Sequence, residues 1–156
     1  MRGYLLDVNH IEAHFRKHPP FMERYRLVPH DAQWRICSTT LGEIEAGHEM
    51  SSSTNQQRRD DYAAFIIEEY LHNALDVTAS TRGYYASIVG RIWKKHPPSA
   101  SKDTRTERHL VDLGIDVNDV WLVSAAWEHG LTVLTRDAMS CIREAVGSDV
   151  QFDCWI

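Results

Sequence analysis

Cysteine is scarce in this sequence, and no two cysteines stand close together. The three that occur, Cys37, Cys141 and Cys154, form no CxxC pair. This spacing argues against a disulfide-stapled scaffold and against a zinc site built on thiolates, and it is typical of a protein in a reducing cytosol. We therefore expect the cysteines to be core or incidental residues.

Long apolar runs are also missing. No stretch approaches the ~20 apolar residues that a membrane span requires, and the chain reaches Asp7 without the apolar region of a signal peptide. With 156 residues, 43% of them hydrophobic and 25% charged, the composition is that of an ordinary globular protein. We expect a single domain over residues 1–156, cytoplasmic and without a membrane partner.

Signatures of several other enzyme classes are absent. Neither GxxxxGK(S/T) nor GxGxxG occurs, so chemistry on a nucleotide cofactor has no support. The nine histidines include no HExxH motif of a zinc enzyme. His10 and His14 are four residues apart but have no third ligand nearby, and we expect them on a solvated helix face.

The net charge of −5 is unfavourable for nucleic-acid binding, but the charge is unevenly distributed. Between Arg82 and His109, seven basic residues stand against only two acidic ones. Such asymmetry permits a local basic patch beside an acidic site. A solvated helix face and loop explains the charge alone equally well. The basic residues are Arg82, Arg91, Lys94, Lys95, Lys102, Arg105 and Arg108.

Short apolar runs alternate with stretches of helical periodicity along the chain. This alternation predicts an α/β domain of three layers, in which a mostly parallel central sheet is flanked by helices. The predicted strands cover residues 3–7, 33–37, 74–77, 131–134 and 150–155.

Helix signals occur between these strands. A first helix begins near Asn9 and is ended by Pro19. Thr40 and Glu43 form a capping-box pattern before the next long helix, and Gly130 is placed to end a later one. Four other predicted helices cover residues 21–27, 41–50, 119–129 and 138–146. Another runs through 58–70 after a cap at 51–54, and a further one begins at 81. Residues 96–102 are predicted to form a loop.

Four acidic residues stand where a predicted strand meets a helix. Asp7 ends the first strand, Asp137 follows the fourth, and Glu43 and Asp119 lie at helix starts. Taken singly, Asp119 can be a cap, Asp137 a turn residue and Glu43 part of a capping box. Open parallel sheets, however, place their chemistry at the carboxyl ends of the strands. Four carboxylates that converge there would form a site for Mg²⁺ or Mn²⁺, which prefer oxygen ligands.

The acidic segments resemble those of the PIN-domain family, in particular the VapC-type toxin ribonucleases. They occur in the family order and extend across most of the chain, and the ordered set is specific although each segment alone is weak. Two features depart from the family pattern: Val8 stands where threonine is frequent, and the stretch 96–109 is longer than a compact member needs. The matching segments are residues 4–9, 38–47, 118–126 and 128–137.

The resemblance implies a PIN-like domain and a metal-dependent endoribonuclease, the toxin of a type II toxin–antitoxin pair. It implies RNA as the substrate, Mg²⁺ or Mn²⁺ as the cofactor, an antitoxin protein as a partner, and a homodimer. Asn9 and Thr135 match supporting polar positions, and Asp116 is close enough to compete with Asp119 for its role. The implied metal ligands and catalytic residues are Asp7, Glu43, Asp119 and Asp137.

Two other functions are compatible with parts of this pattern. A PIN-like module that binds RNA or acts as a scaffold without cleaving is the first, although such a module has little reason to keep four mutually repelling acids. A phosphatase with Asp7 as nucleophile is the second. Phosphatases of the haloacid-dehalogenase type carry an acid two residues after the first, where this chain has Asn9.

Overall fold

Five strands form one parallel sheet in the computed structural model, which describes residues 3–51, 55–99 and 105–156. Their bounds are β1 Gly3–Leu6, β2 Gln33–Cys37, β3 Ala74–Leu75, β4 Thr132–Leu134 and β5 Gln151–Asp153. All five lie inside the predicted strand regions, and β2 matches its prediction at both ends.

The strand order β3-β2-β1-β4-β5 determines where a site can form. From β1 the chain adds β2 and β3 on one side, and it then returns to add β4 and β5 on the other. In open sheets, such a reversal leaves a crevice at the carboxyl ends of the two strands where the order switches, here β1 and β4. Leu6 of β1 pairs in register with Leu134 of β4, so the residues that follow both strands emerge side by side.

Eight α-helices occur in the described part of the chain. None of the helices described is long and apolar enough to cross a membrane. Their bounds are α1 Val8–Phe15, α2 Pro19–Leu27, α3 Ser38–Met50, α4 Gln56–Glu69, α5 Thr81–Lys95, α6 Thr106–Asp112, α7 Val117–His129 and α8 Ser140–Val146.

The helices cover both faces of the sheet and bury a core on each. Because side chains alternate along a strand, Leu5 and Val133 face a core built with α5, α6, α7 and α8. Leu6 and Leu134 face the opposite core, built with α1, α2, α3 and α4. The predicted three-layer α/β architecture with a parallel sheet is therefore confirmed.

Two helix starts differ from the sequence predictions. The chain passes directly from β2 into α3 with Cys37 as the N-cap residue, so Thr40 lies buried inside the helix and the predicted capping box with Glu43 is wrong. α7 begins two residues earlier than expected. Its cap is Asp116, whose Oδ1 accepts a 2.8 Å hydrogen bond from the amide of Asn118. Asp119 is thus the third residue of the helix and does not open it.

Three further boundaries needed the tertiary structure. α4 is capped by Asn55, whose Oδ1 accepts a 3.0 Å hydrogen bond from the amide of Arg58. The predicted cap was residues 51–54, of which 52–54 lie outside the described residues. α6 was not predicted, and residues 100–102 of the predicted loop also lie outside the described residues. α8 begins at Ser140, after Met139 with φ 42°. Gly130 ends α7 in the left-handed conformation, as predicted.

Candidate active site

Asp7 is buried at the carboxyl end of β1 and is the N-cap residue of α1. Its Oδ1 accepts a 2.7 Å hydrogen bond from the amide of Val8. Its Oδ2 accepts one bond of 2.7 Å from the hydroxyl of Thr135 and another of 3.3 Å from Nδ2 of Asn9. Burial raises the pKa of this carboxyl in spite of these bonds, with a smaller contribution from the negative charge of Asp137.

The turn after β4 brings Asp137 to the same place. The buried Thr135 hydroxyl that donates to Asp7 also accepts a 3.0 Å bond from the amide of Asp137. Nδ2 of Asn9 donates to both acids, to Oδ2 of Asp7 at 3.3 Å and to Oδ2 of Asp137 at 3.4 Å. Both residues that the family resemblance suggested as supporting positions, Asn9 and Thr135, therefore contact Asp7 and Asp137.

Glu43 and Asp119 come from two helices that pack against each other, α3 and α7. Oε1 of Glu43 accepts a 2.8 Å hydrogen bond from Nδ2 of Asn118. Burial raises the pKa of Glu43, the Asn118 bond lowers it, and the charges of Asp116 and Asp7 raise it further. Asn118 was not singled out from the sequence, although it directly precedes Asp119 in a segment of the family resemblance.

Asp119 is the most strongly perturbed of these acids. Partial burial and the charges of Asp7, Asp116, Asp137 and Glu43 raise its pKa to about 7, in that order of importance. One carboxyl is therefore electrostatically coupled to the other three predicted site residues. Perturbation of this kind, by burial together with specific charges, is common at functional sites.

The donor atoms of this cluster suit a hard divalent cation, since they are carboxylate oxygens supplemented by amide and hydroxyl groups. A cation would also relieve the charge that raises the pKa of Asp119. The side chains are not positioned for metal binding as they stand. Among the residues described, no group of three or more His, Cys, Asp or Glu side chains is arranged so that it could hold a metal ion. The chemistry of the donors fits Mg²⁺ or Mn²⁺, and binding would require side-chain rotation.

Solved structures with a similar fold include VapBC proteins. Similar chains occur in VapBC-1 from nontypeable Haemophilus influenzae, with 17% identity, a TM-score of 0.69 and 98% of each chain covered. They occur in VapBC2 from Rickettsia felis bound to a promoter DNA fragment, with 16% identity, a TM-score of 0.66 and 99% of each chain covered. They also occur in VapBC-5 from Mycobacterium tuberculosis, a member of a toxin–antitoxin family, with 18% identity, a TM-score of 0.56, and 99% of this chain and 98% of that chain covered.

The chain has a PIN-like fold. The resemblance noted in the sequence is therefore confirmed at the level of the fold, and at such low identity the likeness establishes the fold alone. No model of a known protein family and no curated protein matches the chain. The activity of this PIN-like chain has to be argued from its own side chains.

A cleft of about 290 Å³ opens beside the cluster. Asp119 and Asp137 line it together with Gly114, Met139 and Ser140. Another cleft, of about 350 Å³, lies around Tyr70 and contains none of the four acids. The smaller cleft is the better candidate for substrate binding, because two of the four acids line it and it opens at the switch point of the PIN-like sheet.

The two histidines of α1 contradict the prediction of a solvated helix face. His10 is fully buried, and His14 is half-buried with its ring against Phe21 and Tyr25. Burial lowers the pKa of His10 to about 4 and also lowers that of His14. The sequence did offer a signal, because His10 stands next to the apolar Ile11, and the buried side of α1 consists of His10, Ile11 and Ala13.

The basic segment is partly neutralised by ion pairs. Arg91 pairs with Asp149 at 2.7 Å, Lys95 with Glu144 at 3.1 Å, and Arg108 with Asp112 at 3.3 Å. Lys102 lies outside the described residues.

The basic segment begins on α5, which packs against α7. Glu128 near the end of α7 accepts hydrogen bonds from Ser80 and Thr81 at the start of α5. The start of α5 therefore lies beside the end of α7, and the two helices run antiparallel.

Proposed function

We propose that this chain is a metal-dependent endoribonuclease and the toxin of a type II toxin–antitoxin pair. The observation that carries the proposal is the group of acids at the switch point of the sheet, where Asn9 bonds to both Asp7 and Asp137 and where partial burial, followed by the charges of Asp7, Asp116, Asp137 and Glu43, raises the pKa of Asp119 to about 7. Gathering acids around the buried Asp7 and the half-buried Glu43 and Asp119 costs free energy, because like charges repel each other and lose contact with water. A bound divalent cation would offset the repulsion between these carboxylates, and it would position a phosphodiester for cleavage.

The four carboxylates are the proposed ligands, and Asp7 and Asp119 are the strongest candidates for direct contact. A bound Mg²⁺ or Mn²⁺ ion supplies a water acidic enough to react at neutral pH and positive charge at the scissile phosphate. Thr135 and the amide of Val8 hold the Asp7 carboxylate in place. Glu43 and Asp137 would ligate the ion, hold a water bound to it or assist proton transfer.

RNA is the proposed substrate, and the basic segment is the proposed backbone contact. Phosphates would be repelled by an acidic centre unless positive charge stood close to it. Lys94 and Lys95, in the last turn of α5, are candidate residues for this contact.

An antitoxin and a second copy of the chain are the proposed protein partners. Support for the antitoxin comes from the solved structures that share the fold, since VapBC-5 is described as belonging to a toxin–antitoxin family. The homodimer rests on the sequence resemblance. Light scattering of the purified chain, alone and with the product of a neighbouring small gene, tests both partners.

The test of activity is cleavage of labelled RNA by the purified chain with Mg²⁺, with Mn²⁺ and with chelator. We expect metal-dependent internal cuts, and Asp7→Asn and Asp119→Asn should each reduce the rate by orders of magnitude. The matched control is Asp149→Asn, which removes a carboxylate that pairs with Arg91 outside the cluster. Cleavage that survives in chelator, or an Asp119→Asn variant as active as the control, would overturn the proposal. RNA binding without metal-dependent cleavage would favour the non-catalytic module.

A further inference from the structure

His10 is linked by hydrogen bonds to the acidic cluster, although it touches none of the acids. Its Nε2 lies 3.0 Å from the backbone nitrogen of Trp155, just after β5. Its Nδ1 lies 2.7 Å from Oδ1 of Asn9. Nδ2 of Asn9 in turn donates to Asp7 and Asp137. These contacts form one continuous path from the backbone of Trp155 to two carboxylates.

The path assigns the tautomer of His10. A backbone amide can only donate, so Nε2 must accept from Trp155 and carries no proton. The ring proton of the neutral imidazole is then on Nδ1, which donates to Oδ1 of Asn9. The amide of Arg136 donates to the same oxygen at 3.3 Å. Two donors thus hold the oxygen of Asn9, and its NH₂ group is directed at the acids.

We infer that His10 is a positioning residue, whose neutral imidazole fixes the Asn9 amide that joins Asp7 and Asp137. Without the His10 donor, the 3.3 Å bond from the amide of Arg136 is the one that remains, among the described residues, to the oxygen of Asn9. The effect of His10 on cation binding rests on the proposed function, whereas its effect on Asn9 does not. Partners of this kind, which orient the groups around a metal, typically change affinity or activity by roughly 10-fold to 100-fold when they are removed.

Three substitutions of His10 distinguish the contribution of Nδ1 from that of Nε2. His10→Asn places an amide donor close to the position of Nδ1, His10→Gln places its amide near Nε2, and His10→Phe fills the volume with neither. His14→Asn is the matched control, because it lies one turn further along α1 and bonds to the Tyr70 hydroxyl instead of the cluster.

The first measurement is NMR of the metal-free protein. Long-range nitrogen–proton spectra should show a neutral His10 with its proton on Nδ1. The side-chain amide signals of Asn9 should shift in His10→Gln and His10→Phe and stay close to the parent in His10→Asn and His14→Asn. A proton on Nε2, or Asn9 signals that do not respond to His10→Gln, would overturn the inference.

The second measurement is the affinity for Mn²⁺ by calorimetry. We expect His10→Gln and His10→Phe to bind roughly 10-fold to 100-fold more weakly, and His10→Asn to bind within about threefold of the parent. In an Asn9→Ala background, His10→Phe should cause no further loss, because the two residues act through one path. An equal loss in both backgrounds would mean a packing role only and would also overturn the inference. A parent that binds no Mn²⁺ but shows the expected Asn9 signals would refute the proposed function and leave the positioning role supported.

Discussion

The hydroxyl of Thr135 donates a 2.7 Å hydrogen bond to Oδ2 of Asp7. This bond joins the residue that follows β4 to the residue that follows β1, and both residues are buried. The same hydroxyl accepts the amide of Asp137 at 3.0 Å. A single side chain thus stabilises one carboxylate and determines where the backbone carries another.

Replacing Thr135 with Val keeps the shape of the side chain and removes both bonds. We expect a loss of about 1–3 kcal/mol in the free energy of unfolding, because the buried Asp7 then loses one of its three donors and the amide of Asp137 loses its acceptor. Ribonuclease activity should fall as well. Thr135→Ser should retain most of both properties, and Thr132→Val on the same strand is the control. Urea denaturation decides, and a Thr135→Val variant as stable as Thr132→Val would contradict this assignment.

The charge of Asp119 should destabilise the metal-free protein in a defined pH range. The folded pKa is about 7 against an ordinary value of 3.8, so the folded state binds this proton more tightly than the unfolded state does. The contribution of Asp119 to stability therefore decreases as the pH rises from about 4 to 7. In chelator, Asp119→Asn should melt at or above the parent temperature at pH 8, and the difference should shrink toward pH 4.

The control for this prediction is Asp116→Ala, which removes the cap of α7. Loss of an N-cap side chain costs about 1 kcal/mol, and for a chain of this size that corresponds to a fall of roughly 2–4 °C in melting temperature. If Asp119→Asn instead melts clearly below the parent in chelator at pH 8, Asp119 has the structural role of a helix-start residue.

Added Mn²⁺ should raise the melting temperature of the parent more than that of Asp119→Asn. A ligand stabilises the folded state only in proportion to its occupancy there, and the variant lacks one proposed ligand. Asp149→Asn should respond like the parent. Differential scanning calorimetry over a range of Mn²⁺ concentrations measures the effect, and equal shifts in all three proteins would remove Asp119 from the proposed metal site.

Neutralising Lys94, Lys95 and Arg105 to Gln should weaken RNA binding and flatten its salt dependence. If all three side chains contact phosphates, the slope of log affinity against log salt should decrease by about 2 for single-stranded RNA. Slow cleavage should remain at high enzyme concentration.

The control carries the same change of charge on the other layer of helices, with Arg16, Arg24 and Arg58 each changed to Gln. These three arginines form exposed ion pairs on α1, α2 and α4. An unchanged slope in the first variant, or an equal change in both, would show that the basic segment makes no specific contact with RNA.

The residue pattern within a few positions was sufficient to predict those strand and helix ends that depend only on neighbouring residues. The apolar run before Asp7 and the glycine after His129 predicted a strand end and a helix end, and both occur in the structure. The start of α3 was wrong, because Thr40 has the residue type of a cap but is buried inside the helix. Backbone hydrogen bonding and burial, which depend on neighbouring elements, outweighed the capping preference there.

The sequence by itself determined the alternation of strands and helices, the three-layer fold and the positions of Asp7 after β1 and Asp137 after β4. Only the tertiary structure decided that Asp116, and not Asp119, caps α7, and that Arg91 is paired with Asp149. It also decided that His10 is buried and bonded to Trp155, 145 residues further along the chain. The physical reason is range: periodicity and capping act within a few residues, whereas desolvation, charge coupling and hydrogen-bond partners depend on groups that only the packed sheet brings together.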